Sequence, residues 1–215
     1  MEKQVKNVLE FYELANELKH VLRTGWLQWA VSAERIESVA EHIFSAMMLA
    51  VAINSEFNYD IDIKRVVFML AVHELEEIII GDITPYQGVS EEDKTAQGKE
   101  AVKQVLSCLT GAKEIEDIIN EFEEASTVEA RFAYWVDKLD AGLQCKIYDI
   151  QGFIDMANEK VDAQRLAKLK EQQHMFLSDS WLERGVERYG FDDVFNKIAL
   201  EARDNNYWGR LRRTE

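Results

Sequence analysis

MLAVHELEEIIIGDITP, residues 69–85, is the stretch on which the fold turns. Four apolar or small residues, Met69 to Val72, run into His73, and Glu74, Glu76 and Glu77 follow within four positions. Ile78, Ile79 and Ile80 then lead to Gly81, Asp82 and Pro85, the one proline in the chain. Counting back to Ile63, apolar residues recur at helical spacing, which predicts one buried helix over residues 63–80. Such a helix gathers a histidine and three carboxylates only where something needs them, because an uncompensated buried charge is costly.

Working outward, the same spacing recurs almost everywhere. Val8, Phe11, Leu14 and Leu18 mark a first helix that closes near Thr24 and Gly25. Ser38 and Glu41 make the S-x-x-E of a capping box, opening a second helix through His42, Phe44, Met47 and Leu49 to Ile53. NSEFNYDID, residues 54–62, reads as a turn or loop, and GDITPYQGVS, residues 81–90, is the longest stretch rich in helix breakers. Ser90 to Asp93 then starts a helix with acids at its positive end. Helices are expected over 91–109, 113–124 and 128–156. The tail carries two more, KVDAQRLAKLKEQQHMFLSD and FDDVFNKIALEARDN, separated by Gly185 and Gly190. With no internal repeat and no linker, the expectation is an all-α protein: one compact helical domain, residues 1–157, with a helical C-terminal extension, residues 158–215, packed on it.

The composition bounds the function. A chain of 215 residues, 47% hydrophobic and 30% charged, suits one large soluble domain. A formal charge of −15 argues against a nucleic acid polymer as partner, since phosphate backbones need a basic footprint. An anionic small molecule still fits if a metal or a few local cations supply positive charge. Cys108 and Cys145 lie far apart and outside any CxxC spacing, as expected of reduced thiols in a cytosolic protein. The N-terminus is amphipathic and charged rather than a signal peptide, and no apolar run nears the ~18 residues of a membrane span. A cytoplasmic protein without a membrane partner is expected.

Of the four histidines, His20 at a helix end and His174 in a charged tail helix read as surface or capping residues. His42 and His73 differ, each lying on an apolar helix beside an acid, in an EH and an HE pair. One such histidine is more often a core residue than a ligand. Two of them, each with a carboxylate, point as readily to a divalent metal, which imidazole and carboxylate suit. Asp137, in YWVDKLDAGLQ, is an acid inside an otherwise apolar helix, with Asp140 a turn later on nearly the same side. It either pairs with Arg131 or Lys138 on a solvated face, or points inward and needs a cation.

These residues carry a resemblance. ESVAEH, LAVHELEEIIIGDITP and EARFAYWVDKLD, with RTGW before the first, resemble the ligand-bearing segments of the HD-domain metal-dependent phosphohydrolases. The match is to the branch of 5′-deoxynucleotidases acting on deoxynucleoside monophosphates, and it runs over roughly residues 10–155. The resemblance implies that His42, His73 and Asp137 are metal ligands. Where the family doublet is His-Asp, this chain has Glu74 after His73, one methylene longer and with ~1.5 Å of extra reach. Glu77 matches the catalytic acid near the active water, and Asp82 matches a second acid; the bland alternatives are a lysine partner for Glu77 and a loop cap for Asp82. Arg23 matches the phosphate-holding arginine, against the alternative of a helix C-terminal cation. Trp26 either lines the sugar or base side of the pocket or belongs to the core, Lys94 is a further phosphate candidate, and Glu76 points to solvent or a salt bridge. A homodimer is also implied.

The expected activity is therefore metal-dependent removal of phosphate from nucleoside 5′-monophosphates, with deoxyribonucleotides preferred and a divalent ion (Mn, Co, Fe, Ni, Zn or Mg) as cofactor. Two alternatives compete. A metallopeptidase would read His73-Glu74-x-x-Glu77 as a variant of H-E-x-x-H, leaving ESVAEH and WVDKLD without a purpose. A protein altered at Glu74 would bind metal or nucleotide without turnover.

Overall fold

Local signals in the chain open its helices one after another. The computed structural model describes residues 1–29, 31–32, 36–84, 88–154, 176–188 and 192–207. Its elements are α1 (Glu2–Asn16), a 3-10 turn (Glu17–Lys19), α2 (Gly25–Gln28), α3 (Val39–Phe57), α4 (Ile63–Val72), α5 (Glu77–Ile80), α6 (Glu91–Leu106), α7 (Ala112–Glu124), α8 (Val128–Gln151), α9 (Leu177–Arg188) and α10 (Asp193–Asp204). The protein is all-α; two isolated antiparallel bridges, Leu22 with Ser38 and Val31 with Ile154, are the β-type pairings among the described residues. No described helix is long and apolar enough to cross a membrane.

The Ser38–Glu41 capping box is the one expected of the sequence. Ser38 Oγ accepts from the Glu41 amide at 3.3 Å while Glu41 Oε2 accepts from the Ser38 amide at 2.9 Å, closing the capping box of α3. Asp62 caps α4 through the amides of Lys64 and Arg65, and Ser90 caps α6 through that of Asp93. Asn58, in the left-handed region at φ 50°, ends α3, so the helix runs to Phe57 rather than stopping at Ile53.

Other boundaries differ from the expectation. The first helix stops at Asn16, and the RTGW segment contributes a separate short helix. Residues 63–80 are not one helix: α4 ends at Val72, and a turn over residues 73–76 separates it from α5. Tightened bonds replace the α-pattern there, from the Leu75 amide to Val72 O and from the Glu77 amide to Glu74 O. The α8 helix closes at Gln151, where Gly152 takes φ +75°, instead of reaching 156. Gly185 falls inside α9 and does not separate two helices. Most of the helix expected over 160–179, with His174, lies outside the described residues, as do Pro85 and the 157/158 boundary.

The chain divides into two compact units, Met1–Gly25 with Ile36–Tyr134, and Trp26–Arg35 with Trp135–Glu215. In the first, α3 packs on α4, α4 on α7, and α6 on both α5 and α7. Val66, Met69 and Leu70 of α4 are fully buried, each contributing about 1.5–3 kcal/mol by leaving water. In the second, α9 packs on α10, and Gly142 of α8 lets Leu182 of α9 approach to where a Cβ would sit 3.0 Å from Leu182 Cδ2. Phe195 meets Trp135 edge-on at 5.6 Å.

Candidate metal centre

The first unit brings two buried imidazoles to one carboxylate. The capping box sets the first turn of α3 and with it His42, which is 0% exposed. His73 stands at the C-terminal end of α4, where the helix breaks. The ring centroids of His42 and His73 are 5.6 Å apart. Their Nε2 atoms lie 3.9 Å and 3.5 Å from Glu74 Oε1, long for hydrogen bonds and near the ~3–3.4 Å expected of two atoms sharing an ion at ~2.1 Å. His73 Nδ1 lies 2.9 Å from Leu70 O, so the backbone carbonyl accepts its proton and Nε2 keeps the lone pair a metal requires. Phe122 of α7 packs edge-on against the same ring at 4.9 Å and fixes its tilt. The donor set therefore fits a divalent ion. His42, His73 and Glu74 offer ligand atoms within 4.8 Å of one another, and Asp137 is the fourth ligand that the resemblance implies. Asp137 is buried on α8, in the second unit, and accepts from Lys138 Nζ at 2.8 Å.

Acids crowd this centre. Glu77 is buried, and burial, then the neighbouring Glu74 and Asp82 carboxylates, push its carboxyl up to about 10 against the opposing pull of Arg23. Glu76 is raised to about 8, by burial first and Glu74 second. The sequence reading places it in solvent or in a salt bridge. The turn over 73–76 carries it instead toward α6, where Gly98 leaves room: a Cβ there would lie 3.6 Å from Glu76 Cγ. The same turn removes the geometry a metallopeptidase reading needs, because His73 and Glu77 are not one turn apart on a single helix.

Arg23 completes the first unit's constellation. Its Nη1 lies 3.4 Å from Glu74 Oε1, the oxygen both imidazoles face, and its Nε is 3.9 Å from Glu37 Oε1. The Leu22–Ser38 bridge brings this segment to the head of α3, with the Arg23 amide donating to Glu37 O at 3.1 Å. On the other side of Arg23, the Thr24 amide donates to Asp82 Oδ2, and the Gly25 amide approaches the same oxygen at 3.4 Å. Thr24 Oγ1 lies 2.7 Å from Asp82 O and 3.2 Å from Oδ2. Asp82 thus accepts from both residues that follow Arg23. Lys94 Nζ donates to Ile83 O at 2.8 Å, bracing the same loop. Trp26, in the second unit, is buried with its ring stacked on Trp181 at 5.1 Å and edge-on to Tyr148 at 5.2 Å, the environment of a core residue. Glu37 and Thr24 were not singled out from the sequence. Both lie inside the quoted motifs, ESVAEH and RTGW, and only the pairing of those segments gives them partners.

Taken together, these features define an all-α protein with a buried histidine–carboxylate cluster able to hold a metal ion. The family model for the HD domain matches residues 15–176. The chain belongs to the HD-domain phosphohydrolases. It is 32% identical over 154 residues to a 5′-deoxynucleotidase of Dictyostelium discoideum, a match covering 68% of this chain and 80% of the relative. A human 5′-deoxynucleotidase is 31% identical over 175 residues, covering 76% and 83%. Among solved structures, a protein of Pyrococcus horikoshii superposes with a TM-score of 0.59 at 26% identity, covering 85% of this chain and 98% of that one.

Proposed function

We propose that this chain hydrolyses nucleoside 5′-monophosphates, deoxyribonucleotides in preference, with one divalent ion held by His42, His73, Glu74 and Asp137. The observation that carries the reading is the meeting of His42, His73 and Arg23 around one Glu74 oxygen, a cation site beside a phosphate-gripping fork. The 5′-deoxynucleotidase names of the sequence relatives support the substrate class. Imidazole and carboxylate donors suit Mn, Co, Fe, Ni or Zn, with Mg the least favoured. Such an ion supplies positive charge for the phosphate and lowers the pKa of a water.

The remaining chemistry belongs to the side chains. Arg23 is held beside the centre with a planar fork that matches two phosphate oxygens. Glu77, buried beside the cluster, serves as proton carrier. Water oxygen bonds to phosphorus as the bond to O5′ breaks; Glu77 gives its proton to O5′ and regains one from the attacking water. The products are nucleoside and inorganic phosphate.

The same reading takes the enzyme as cytoplasmic, in keeping with the unlinked Cys108 and Cys145, and as a homodimer. Phe44, Met48 and Val51 support the latter: they are exposed and follow one another along a single face of α3. Sedimentation of the wild type and of Met48→Glu tests it, with a dimer expected to give way to monomer.

Phosphate release from a panel of deoxyribo- and ribonucleoside 5′-monophosphates, without metal and with Mn, Co, Zn or Mg, tests the activity. Metal-dependent release favouring the deoxy forms is expected. Absence of release with every metal would overturn the reading.

A further inference from the structure

Arg23 is fixed at two points, and only one of them belongs to its own neighbourhood in sequence. Leu22 pairs with Ser38 on the N-terminal side, holding Arg23 against the head of α3. On the C-terminal side the anchor is Asp82, 58 positions further along the chain, which receives the Thr24 amide, the Thr24 hydroxyl and the Gly25 amide. The Thr24 hydroxyl also reaches the Asp82 carbonyl at 2.7 Å, so side chain and backbone of one residue are met by side chain and backbone of the other. The loop bearing Asp82 is braced in turn by Lys94 on the Ile83 carbonyl.

We infer that Thr24 and Asp82 form a positioning clamp for Arg23, and that Asp82 serves the reaction through this clamp and not as an acid or base. Three features carry it. A carboxylate oxygen that accepts from two consecutive amides is acting as a turn cap, for which ionised Asp is suited because it accepts only. The clamp is immediately adjacent in sequence to the residue whose guanidinium lies 3.4 Å from Glu74. Glu77, the other acid of the pair, is buried within this cluster, whereas Asp82 is the acid committed to the turn that follows Arg23. A fork displaced by about 1 Å loses much of its value to a substrate phosphate. The inference rests on the hydrolase reading above for the role it gives Arg23.

The test compares Asp82→Ala, Asp82→Asn, Thr24→Val, Arg23→Ala and the Arg23→Ala/Asp82→Ala double variant in the full chain loaded with the best metal of the panel. Steady-state kinetics with the preferred nucleotide and hydrogen exchange at the Thr24 and Gly25 amides are both read. Asp82→Ala is expected to raise KM about tenfold or more with a smaller fall in kcat, and to leave the pH profile of kcat unchanged. Thr24→Val gives a smaller change of the same kind. Asp82→Asn, which still offers an amide oxygen to Thr24 and Gly25, restores most of the loss. The double variant is no worse than Arg23→Ala alone, because the clamp has nothing left to position. Exchange at Thr24 and Gly25 quickens in Asp82→Ala and stays slow in Asp82→Asn. A fall in kcat of about 100-fold or more in Asp82→Asn, with one limb of the pH profile lost, would make Asp82 an acid or base and overturn the inference. Unchanged amide exchange in Asp82→Ala would overturn it as well. Should the wild type turn over no phosphate monoester, the hydrolase reading fails, while the exchange data still decide whether the clamp exists.

Discussion

Two regions of the first unit handle carboxylates in opposite ways. Around the 73–76 turn, Glu74 and Glu77 stand beside Asp82 in a partly or wholly buried cluster, and burial and mutual repulsion drive the Glu77 carboxyl to about 10. At the junction of α4 with α7, Glu121 accepts from Arg65 Nε at 3.3 Å and from Thr127 Oγ1 at 2.6 Å, and these bonds hold its carboxyl below the usual glutamate range. The second arrangement relieves charge where water is near, and stabilises the fold modestly. The first gathers several carboxylates in and beside the core, which a fold tolerates only for a purpose. The difference separates acids that do chemistry from acids that hold helices together.

The contrast is broken most directly at His73. His73→Ala is expected to reduce turnover to background and to weaken metal binding beyond the 10–100-fold seen when only a supporting bond is lost. Equilibrium dialysis with Mn or Zn beside a phosphate-release assay reads both; turnover that survives would move the active centre elsewhere. Glu77→Gln keeps the shape and removes the proton carrier, so kcat falls by about 10²–10⁴-fold while the circular dichroism spectrum stays close to wild type.

A third comparison is one of sign. The folded Glu77 carboxyl is raised above its unfolded value, so between about 4.5 and about 10 the folded state holds a proton the unfolded state has lost. The metal-free protein therefore loses stability as pH rises through that window, by at most about 1.4 kcal/mol per unit from this group. Glu121 behaves oppositely: its contribution is present above the unfolded value near 4.5 and is lost as pH falls through its lowered folded value. Thermal melts of metal-free wild type, Glu77→Gln and Glu121→Gln across pH 3 to 9 check this. Glu77→Gln flattens the neutral limb, and Glu121→Gln affects only the acid one. The smallest effect belongs to Arg65→Met, which costs below about 1 kcal/mol at neutral pH, since Arg65 is well exposed, and leaves kcat and KM unchanged.

How much of this could be read from the chain follows from the range of each interaction. The capping box at Ser38 and Glu41 and the caps at Asp62 and Ser90 are contained within three or four residues, and the helices they open begin where the sequence places them. The helix break at 73–76 left no such mark, because HELEEIII carries neither glycine nor proline and its propensity favours a continuous helix. His42, His73 and Glu74 could be named as ligand candidates from residue type and resemblance alone. The partners of Asp82 could not, since Thr24 and Gly25 are 58 and 57 positions away. Nor could the partly buried state of Glu76, which depends on the space left by Gly98 on another helix.

The enclosure of the two imidazoles has a kinetic side. His42 and His73 are shut off from solvent, and Glu74 alone of the three candidate ligands in the first unit is partly open, its side chain 15% exposed. On the proposed reading, an ion seated there would leave as the short turn after α4 loosens, a local event with its own rate. Removal by a chelator should then proceed at a speed independent of chelator concentration, set by the protein's breathing. The metal found in the purified enzyme would be the one present when the chain folded, whichever ion binds most tightly at equilibrium.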